Sequence, residues 1–378
     1  MSYSFSSTSN TTSNAPDDSK NDIKPDNSVN ITDSISSLSW MNISGGMTNN
    51  YFSSVGWDST LRLYEVSQAN YGSSIIQKST ANLGTPALCC CWAPDNSKIF
   101  AGCIDGTIKA IDTSNMSVMD IGKQNAGISS LHMVPNQNIL ASTAYENNIQ
   151  FWQLGSPNPV YTIDAGNKVF ASDFKNNLFV AGTANEKLVF IDFSNPSNKT
   201  VLDSVDLGKW SQIQSISLSK NGDILGTTSC DGRANISNIA KQPNMSYKLS
   251  SIITFKSNKQ EESGSVVLYP VNASSFNPAT ENWFMTAGSD GVMSFWDFKA
   301  RNKIKSFSFA FNPICDAKVS PSGQLVAYAL GNDWHVGPEG IGKWQPRIGV
   351  HVVTDQETKY MGVSGKWFLT SINLFIFI

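Results

Sequence analysis

Short apolar runs, separated by Gly, Asn, Asp and Ser, follow one another from about Asn27 to about Thr354. Apolar runs of a few residues between turn-forming residues predict β-strands. Over the same range we find no long stretch with apolar residues at the spacing that an amphipathic helix needs. The sequence therefore predicts an all-β protein built from many short strands.

The strand pattern repeats along the chain as an apolar strand, a turn with Asp or Gly, and a second apolar strand that ends near an aromatic residue. Six copies cover 55–66, 101–113, 142–154, 181–193, 227–239 and 286–298, and a stretched seventh covers 328–334 and 347–353. The equivalent positions, 39 to 59 residues apart, are Tyr64, Ile111, Trp152, Ile191, Ser237, Trp296 and His351. One propeller blade spans about 40–45 residues, and a closed ring of blades leaves few exposed sheet edges. We predict a seven-bladed WD-repeat β-propeller.

The turns inside the repeats support this prediction. Asp-Gly occurs at Asp105–Gly106, Asp231–Gly232 and Asp290–Gly291, and it is a strong hairpin signal because Gly tolerates the positive φ of a tight turn. Trp152 and Trp296 stand where WD repeats place their Trp, so we expect both to be buried. The His that usually completes the hydrogen-bond set of a blade is mostly missing.

The ends of the chain differ from its centre. Residues 1–26 are mostly polar, so we expect a disordered tail that buries too little apolar surface to fold. The propeller is expected over 27–354, with Val29 and Ile31 supplying the outer strand of the last blade against Gly349–Val353; the alternative closure uses the C-terminal segment. Residues 355–378 form a C-terminal tail of uncertain structure, for which a docked strand, an interaction tail and a gene-model artefact all stay open.

Composition and motifs exclude several function classes. With 27 basic and 30 acidic residues the net charge is −3, which disfavours non-specific nucleic-acid binding. The apolar runs are too short for a membrane helix, so no membrane insertion is expected. The sequence has no P-loop, G-x-S-x-G or H-E-x-x-H motif, and its three His lie far apart. We therefore expect a non-enzymatic protein with no catalytic residue, metal or cofactor. Cys89–Cys91 alternate across a strand, which predicts buried structural thiols.

Six residues are candidates for partner binding. Trp57 precedes the turn residue Asp58, where its side chain can reach a face of the ring, and Arg233 follows the Asp231–Gly232 turn. An Arg there can bind both oxygens of a partner carboxylate. The remaining candidates are Lys209 and Trp210, before a strand of the fifth blade, and Lys256 and Lys259, in a charged insertion.

Several segments, in one order along the chain, resemble a known family: the nuclear-pore messenger-RNA export factors of the Rae-one/Gle-two type, relatives of the spindle-checkpoint propeller. The segments that carry the resemblance include Asp33-Ser34-Ile35-Ser36, Val55-Gly56-Trp57-Asp58, Lys209-Trp210, Cys230-Asp231-Gly232-Arg233, Thr254-Phe255-Lys256, Tyr269-Pro270-Val271-Asn272, Gly288-Ser289-Asp290-Gly291, Phe295-Trp296-Asp297 and Asn332-Asp333-Trp334. The chain departs from the family pattern at Ile213, at Ser257–Lys259 and at Val336, where the family has charged residues.

The resemblance implies a protein-interaction scaffold that docks on a nucleoporin with a GLEBS-type motif and supports nuclear mRNA export. It implies contact with RNA or ribonucleoprotein through partners, with microtubule or checkpoint proteins as further partners. The expected location is the nucleus and the nuclear envelope at the pore, and also the cytoplasm. Two alternatives stay open: a spindle-checkpoint propeller that binds checkpoint kinases, and a WD-repeat substrate receptor of a ubiquitin ligase.

Overall fold

The computed structural model describes residues 16–43, 50–69, 72–134, 137–193, 199–203, 212–244, 246–262, 265–354 and 357. These residues form seven antiparallel blades in a ring, which confirms the predicted all-β, seven-bladed propeller. Each blade begins with an inner strand at the centre of the ring and proceeds outward, strand by strand, along the chain.

The first four blades use seventeen of the described strands, because a two-residue strand joins the first blade. Strands β1–β5 are Lys24–Pro25, Ile35–Trp40, Asn50–Gly56, Thr60–Ala69 and Gly72–Asn82, and β6–β9 are Ala87–Trp92, Lys98–Cys103, Thr107–Asp112 and Val118–Lys123. Strands β10–β13 are Ile128–Val134, Ile139–Ala144, Asn148–Gln153 and Pro159–Asp164, and β14–β17 are Val169–Lys175, Leu178–Thr183, Lys187–Asp192 and Lys199–Asp203.

Blades five to seven use the remaining described strands, and a two-stranded hairpin stands between blades five and six. Strands β18–β21 are Ile213–Leu218, Ile224–Ser229, Arg233–Lys241 and Tyr247–Lys256, and the hairpin β22–β23 is Lys259–Glu262 and Ser265–Leu268. Strands β24–β27 are Ala273–Phe276, Phe284–Ala287, Val292–Asp297 and Asn302–Ser308, and β28–β30 are Ile314–Val319, Leu325–Leu330 and Arg347–Val352. Two short 3-10 helices cover Asp18–Asn21 and Gly337–Gly340.

The repeat positions predicted from sequence all fall on the fifth residue of the third strand of their blade, from Tyr64 in β4 to His351 in β30. Trp152 is buried, and its indole N–H donates to Ser142 Oγ over 2.8 Å. Ser142 donates in turn to Gln124 Oε1 over 2.6 Å. Gln124 therefore stands in for the missing His of this blade.

The core lies between the blades. Seven hydrophobic clusters occur among the described residues, one for each pair of neighbouring blades around the ring. The cluster that joins blade seven to blade one contains Ile35 and Ile348. Since each blade buries one apolar face against each neighbour, the fold depends on completing the circle.

The predicted ring-closing strand is wrong in its position. Ile23, not residues 27–32, pairs with Val350, and the two residues exchange main-chain hydrogen bonds of 2.8 and 3.0 Å. Lys24 and Pro25 then pair in parallel with β5, the outer strand of blade one. Val29 and Ile31 pack on the cluster between blades seven and one without forming a strand. Ile23 itself is buried, 5% exposed, in the cluster between blades seven and one.

A polar cluster locks this closure. His351 Nδ1 lies 2.7 Å from Asp22 Oδ1, and Tyr328 donates its hydroxyl to Asp22 Oδ2 over 2.9 Å. On the other side of the imidazole, His351 Nε2 lies 3.3 Å from Glu357 Oε2. Burial pushes the pKa of Glu357 upward, but the Thr354 N–H, Lys305 and His351 outweigh it, so the pKa lies below its usual value. One His therefore connects segments before and after the seventh blade. The predicted boundaries between the propeller and its two tails, at residues 26 and 354, otherwise stay a prediction.

Candidate protein-interaction face

One face of the ring collects the turns between the second and third strands of all seven blades. In six blades the residue that follows the second strand donates its N–H to the carbonyl just before the inner strand. In blade six the equivalent donor is Ser289, two residues after the second strand, and it bonds to the Pro270 carbonyl. The seven distances are 2.8 to 3.1 Å. The donors are Trp57, Ile104, Tyr145, Ala184, Cys230, Ser289 and Gly331. We call this face, defined by these seven residues, the turn face.

Arg233 and Lys256 come together on the turn face at blade five. Arg233 opens β20 directly after the turn, and Lys256 is its cross-strand partner at the end of β21. Lys256 is exposed, while Arg233 is half-buried and its Nε lies 3.1 Å from Asp231 Oδ2. The three side chains carry a formal charge of +1, so this part of the face attracts anions.

Trp57 lies on the same face in blade one, on a turn that is held rigidly. Arg62, buried under the turn, donates to Asp58 Oδ1 over 3.1 Å and to the Asn30 carbonyl over 2.8 Å. Burial raises the pKa of Asp58, but the hydrogen bonds and charge of Arg62 outweigh this and hold the pKa below its usual value. The turn therefore contains a paired, ionised carboxylate, and Trp57 stands beside it with its side chain partly in solvent.

The structure does not bring all six candidates together. Trp57 and the Arg233–Lys256 pair share the turn face but belong to blades one and five. Lys209 and Trp210 lie outside the described residues. Lys259 begins β22, the first strand of the hairpin between blades five and six.

The cysteines predicted to be structural are free, and Cys89 and Cys90 are buried while Cys91 is partly so. Burial raises the pKa of the Cys90 thiol to about 12, which makes it a poor nucleophile. Among the described residues no group of three or more His, Cys, Asp or Glu could hold a metal ion. In the same parts of the chain no helix is long and apolar enough to cross a membrane.

Comparison with known proteins decides the family. The chain is 30% identical to Protein Rae1 of Drosophila melanogaster over 313 residues, which cover 81% of this chain and 87% of that protein. The chain belongs to the Rae1 family of WD-repeat proteins. The poly(A)+ RNA export protein of Schizosaccharomyces pombe is 29% identical over 370 residues, covering 97% of this chain and all of that protein. The mRNA export factor GLE2 of Chaetomium thermophilum is 26% identical over 362 residues, or 94% and 97% of the two chains.

A family model, WD domain, G-beta repeat, matches residues 77–112. This Rae1-family repeat starts within β5, the outer strand of blade one, and ends with β8, the third strand of blade two. The matched sequence repeat therefore straddles blades one and two.

Two of the positions where the chain departs from the Rae1-family charges have structural roles here. Ile213 is fully buried in the cluster between blades four and five. Ser257 bonds through its hydroxyl to Thr286 Oγ1 over 2.7 Å, and Thr286 accepts the indole N–H of Trp296 over 2.9 Å. Ile213 and Ser257 therefore serve the packing and hydrogen bonding of blades rather than presenting charge to a partner.

Sequence reasoning did not single out Ile104, Tyr145 and Trp334, whose side chains are exposed on the turn face. Ile104 and Tyr145 occupy the same turn position as Trp57, which the repeat alignment could have shown. Trp334 sits in the long turn of blade seven, and nothing in its sequence neighbourhood indicates that it is exposed.

Proposed function

We propose that this chain is a non-enzymatic scaffold that captures an extended acidic segment of a nucleoporin, of the GLEBS type, and thereby supports nuclear mRNA export. The observation that carries the proposal is the Arg233–Lys256 pair on the turn face. The names of the relatives, which describe mRNA and poly(A)+ RNA export, support the cellular role.

Each of the three residues would make a different contact with the nucleoporin segment. Arg233 would bind a partner Glu with paired hydrogen bonds in competition with Asp231, and Lys256 would add a second positive contact. Trp57 would supply a large apolar anchor, since aromatic and Arg side chains commonly carry most of the binding energy of an interface. An extended segment suits these positions because they belong to blades one and five.

The proposed location is the nuclear rim, with a cytoplasmic pool. RNA or ribonucleoprotein would be reached through partners, because a chain with net charge −3 lacks the excess of cations that backbone binding requires. Lys209, Trp210 and Lys259 stay candidate contacts of the same partner.

A peptide titration tests the contact. A fluorescent GLEBS-type peptide is titrated against the wild-type chain and against Arg233→Ala, Lys256→Ala and Trp57→Ala. Truncating a desolvated Arg typically costs about 2–5 kcal/mol, so we expect Arg233→Ala to weaken binding by roughly thirtyfold or more. The matched control is Lys248→Ala, an exposed Lys toward the other end of β21, which should bind as wild type. If Arg233→Ala and Trp57→Ala also bind as wild type, the site assignment is wrong.

A cellular measurement tests the role in export. Depleting the protein in cells that express it should accumulate poly(A) RNA in the nucleus, and wild type but not Arg233→Ala should reverse this. Normal RNA distribution after depletion would contradict the export role without bearing on the peptide contact.

A further inference from the structure

Residues 16–26, which we call the strap, cross the outer edges of three consecutive blades. At blade six, Asp18 Oδ2 accepts the N–H of the last residue of β27 over 2.8 Å. At blade seven, Ile23 exchanges main-chain hydrogen bonds with Val350. At blade one, Lys24–Pro25 pair in parallel with β5. The strap therefore connects the three blades that meet where the ring closes.

Two turns with the same sequence spacing bring carboxylates to His351. In the strap, Asp22 follows Ser19 by three positions and donates its N–H to the Ser19 carbonyl over 3.1 Å. After blade seven, Glu357 follows Thr354 by three positions and donates its N–H to the Thr354 carbonyl over 3.0 Å. Asp22 and Glu357 contact opposite nitrogens of the His351 imidazole. Each carboxylate of the closure therefore has a hydroxyl residue three positions before it.

The two hydroxyl groups are themselves donors to carboxylates. Ser19 donates its hydroxyl to Asp17 Oδ1 over 2.6 Å, and its N–H donates to the same oxygen over 3.0 Å. Thr354 donates its N–H to Glu357 Oε2 over 2.9 Å, and its side chain also bonds to Glu357. Replacing either hydroxyl hydrogen by a negatively charged group would turn an attraction into a repulsion.

The sequence around both hydroxyl groups is acidic. Two carboxylates directly precede Ser19, and Asp22 follows it. Thr354 is followed by Asp355 and Glu357. Kinases with a basic substrate groove select acceptors that have carboxylates close by, because the two charge patterns are complementary. Thr354 is exposed and Ser19 is half-buried. Both hydroxyl groups therefore suit an acid-directed kinase.

We propose that Ser19 and Thr354 are phosphorylation sites of an acid-directed Ser/Thr kinase, and that phosphorylation loosens the strap. In each reaction the hydroxyl oxygen attacks the γ-phosphorus of ATP, and the bond from that phosphorus to the β–γ bridging oxygen breaks. ADP leaves, and the hydroxyl proton passes through a base of the kinase to solvent. The two sites go beyond the nucleoporin contact proposed above and share no residue with it.

The surrounding charges decide the direction of the effect. A phosphorylated Ser or Thr carries a charge of about −1.5 to −2 at pH 7. Each phosphate would stand beside the carboxylate that the hydroxyl now contacts, and the side chains of Asp22 and Glu357 are only 4% and 9% exposed. The cations near the strap are all exposed: Lys20, Lys24, Lys305 and Arg347. Exposed ion pairs contribute little, so the repulsion from the carboxylates should dominate.

Phosphorylation of the purified full chain tests the proposal. The chain is incubated with ATP and an acid-directed kinase, casein kinase 2, and mass spectrometry identifies the modified residues. We expect phosphate on Ser19 and on Thr354. Amide hydrogen exchange in the strap, where Asp22, Ile23 and Asp26 have bonded N–H groups, should become about tenfold faster. The Tm should fall by about 3 °C or more.

The chain contains a matched control site at Ser117. This residue is exposed, Asp120 follows it by three positions, and it lies just before β9, the outer strand of blade two. In the double variant Ser19→Ala/Thr354→Ala, phosphate on Ser117 should leave strap exchange and Tm equal to those of the same variant without kinase treatment. Because each chain is compared with its own untreated form, any effect of the substitutions on folding cancels.

Three results would overturn the proposal. A residue of the pair that takes up no phosphate is not a site. Phosphate on both residues with unchanged or slower strap exchange would overturn the loosening. A fall in Tm that persists in the treated double variant would assign the effect to another residue. Loss of the proposed nucleoporin contact would leave both sites standing, because the peptide titration involves no residue of the strap.

Discussion

Removing the segment that closes the ring should destabilise the protein sharply, whereas removing the residues before it should not. We compare the full chain with deletions of residues 1–15 and of residues 1–26. The longer deletion removes Ile23, its two main-chain bonds to Val350, and Asp22, which both His351 and Tyr328 contact. The shorter deletion leaves all of these in place.

The magnitude follows from these contacts. Burying one Ile side chain contributes about 1.5–3 kcal/mol, and Ile23 is only 5% exposed. Each buried polar group that loses its partner costs about 1–3 kcal/mol, and the deletion leaves both His351 and Tyr328 without Asp22. A loss of about 5 kcal/mol is a large fraction of the stability of a typical protein. For a chain of this size it should lower Tm by on the order of 10 °C.

Thermal unfolding followed by circular dichroism, on all three chains at one concentration and pH 7, measures the effect. The deletion of 1–15 should melt with the full chain. Ile23→Ala in the full chain should give part of the loss, because it removes the side chain but keeps the main-chain pairing. Equal melting of the two deletions would refute the closure by Ile23 and restore residues 27–32 as the candidate.

Three further substitutions test the blades. Burial raises the pKa of Asp290 from 3.8 to about 7, so the folded state binds this proton more tightly than the unfolded state and loses stability as pH rises through 7. The Tm of Asp290→Asn should therefore rise relative to that of the wild type between pH 5 and pH 8. A Tm difference that stays constant over this range would contradict the shifted pKa. Burial lowers the pKa of His132 from 6.5 to about 4, so stability is lost as pH falls below 6.5, and His132→Gln should flatten that loss in urea unfolding from pH 7 to pH 4.5. Ser142→Ala leaves the Trp152 indole and the Gln124 amide without their shared partner, so it should lower the free energy of unfolding in urea by about 1–3 kcal/mol. Unchanged stability would count against the role of Gln124 in place of the missing His.

The repeat in the sequence was enough to predict the ring because every blade has the same geometry. Seven unlike residues, from Tyr64 to His351, occupy the same fifth position of a third strand. The repeat could be predicted from the spacing of these positions and from the turns around them, and not from the residue type. Local pattern therefore predicted each blade even where the characteristic Trp is absent.

The pairing that closes the ring and the exposure of single side chains were harder to predict, because both depend on residues that are far apart in the sequence. Ile23 pairs with Val350 across 327 positions of the chain, whereas the sequence interpretation placed Ile23 in the tail and chose Val29 and Ile31 as the closing residues. Trp334 is exposed on a main chain with positive φ that is held by bonds to Asn332 and Gly337, and composition does not encode this geometry. Arg233 and Lys256 were each selected by their neighbours in sequence, and their register across β20 and β21 became visible only in the fold.

The junction at His351 also bears on how the protein is made. Asp22 leaves the ribosome long before Glu357, yet both contact the same imidazole. Until the last blade emerges, Ile35 has no partner from blade seven in the cluster that it shares with Ile348. The nascent ring is then open and exposes the apolar faces of its end blades, the kind of surface that chaperones bind. A prematurely terminated chain would thus yield an open, aggregation-prone arc of blades instead of a smaller propeller.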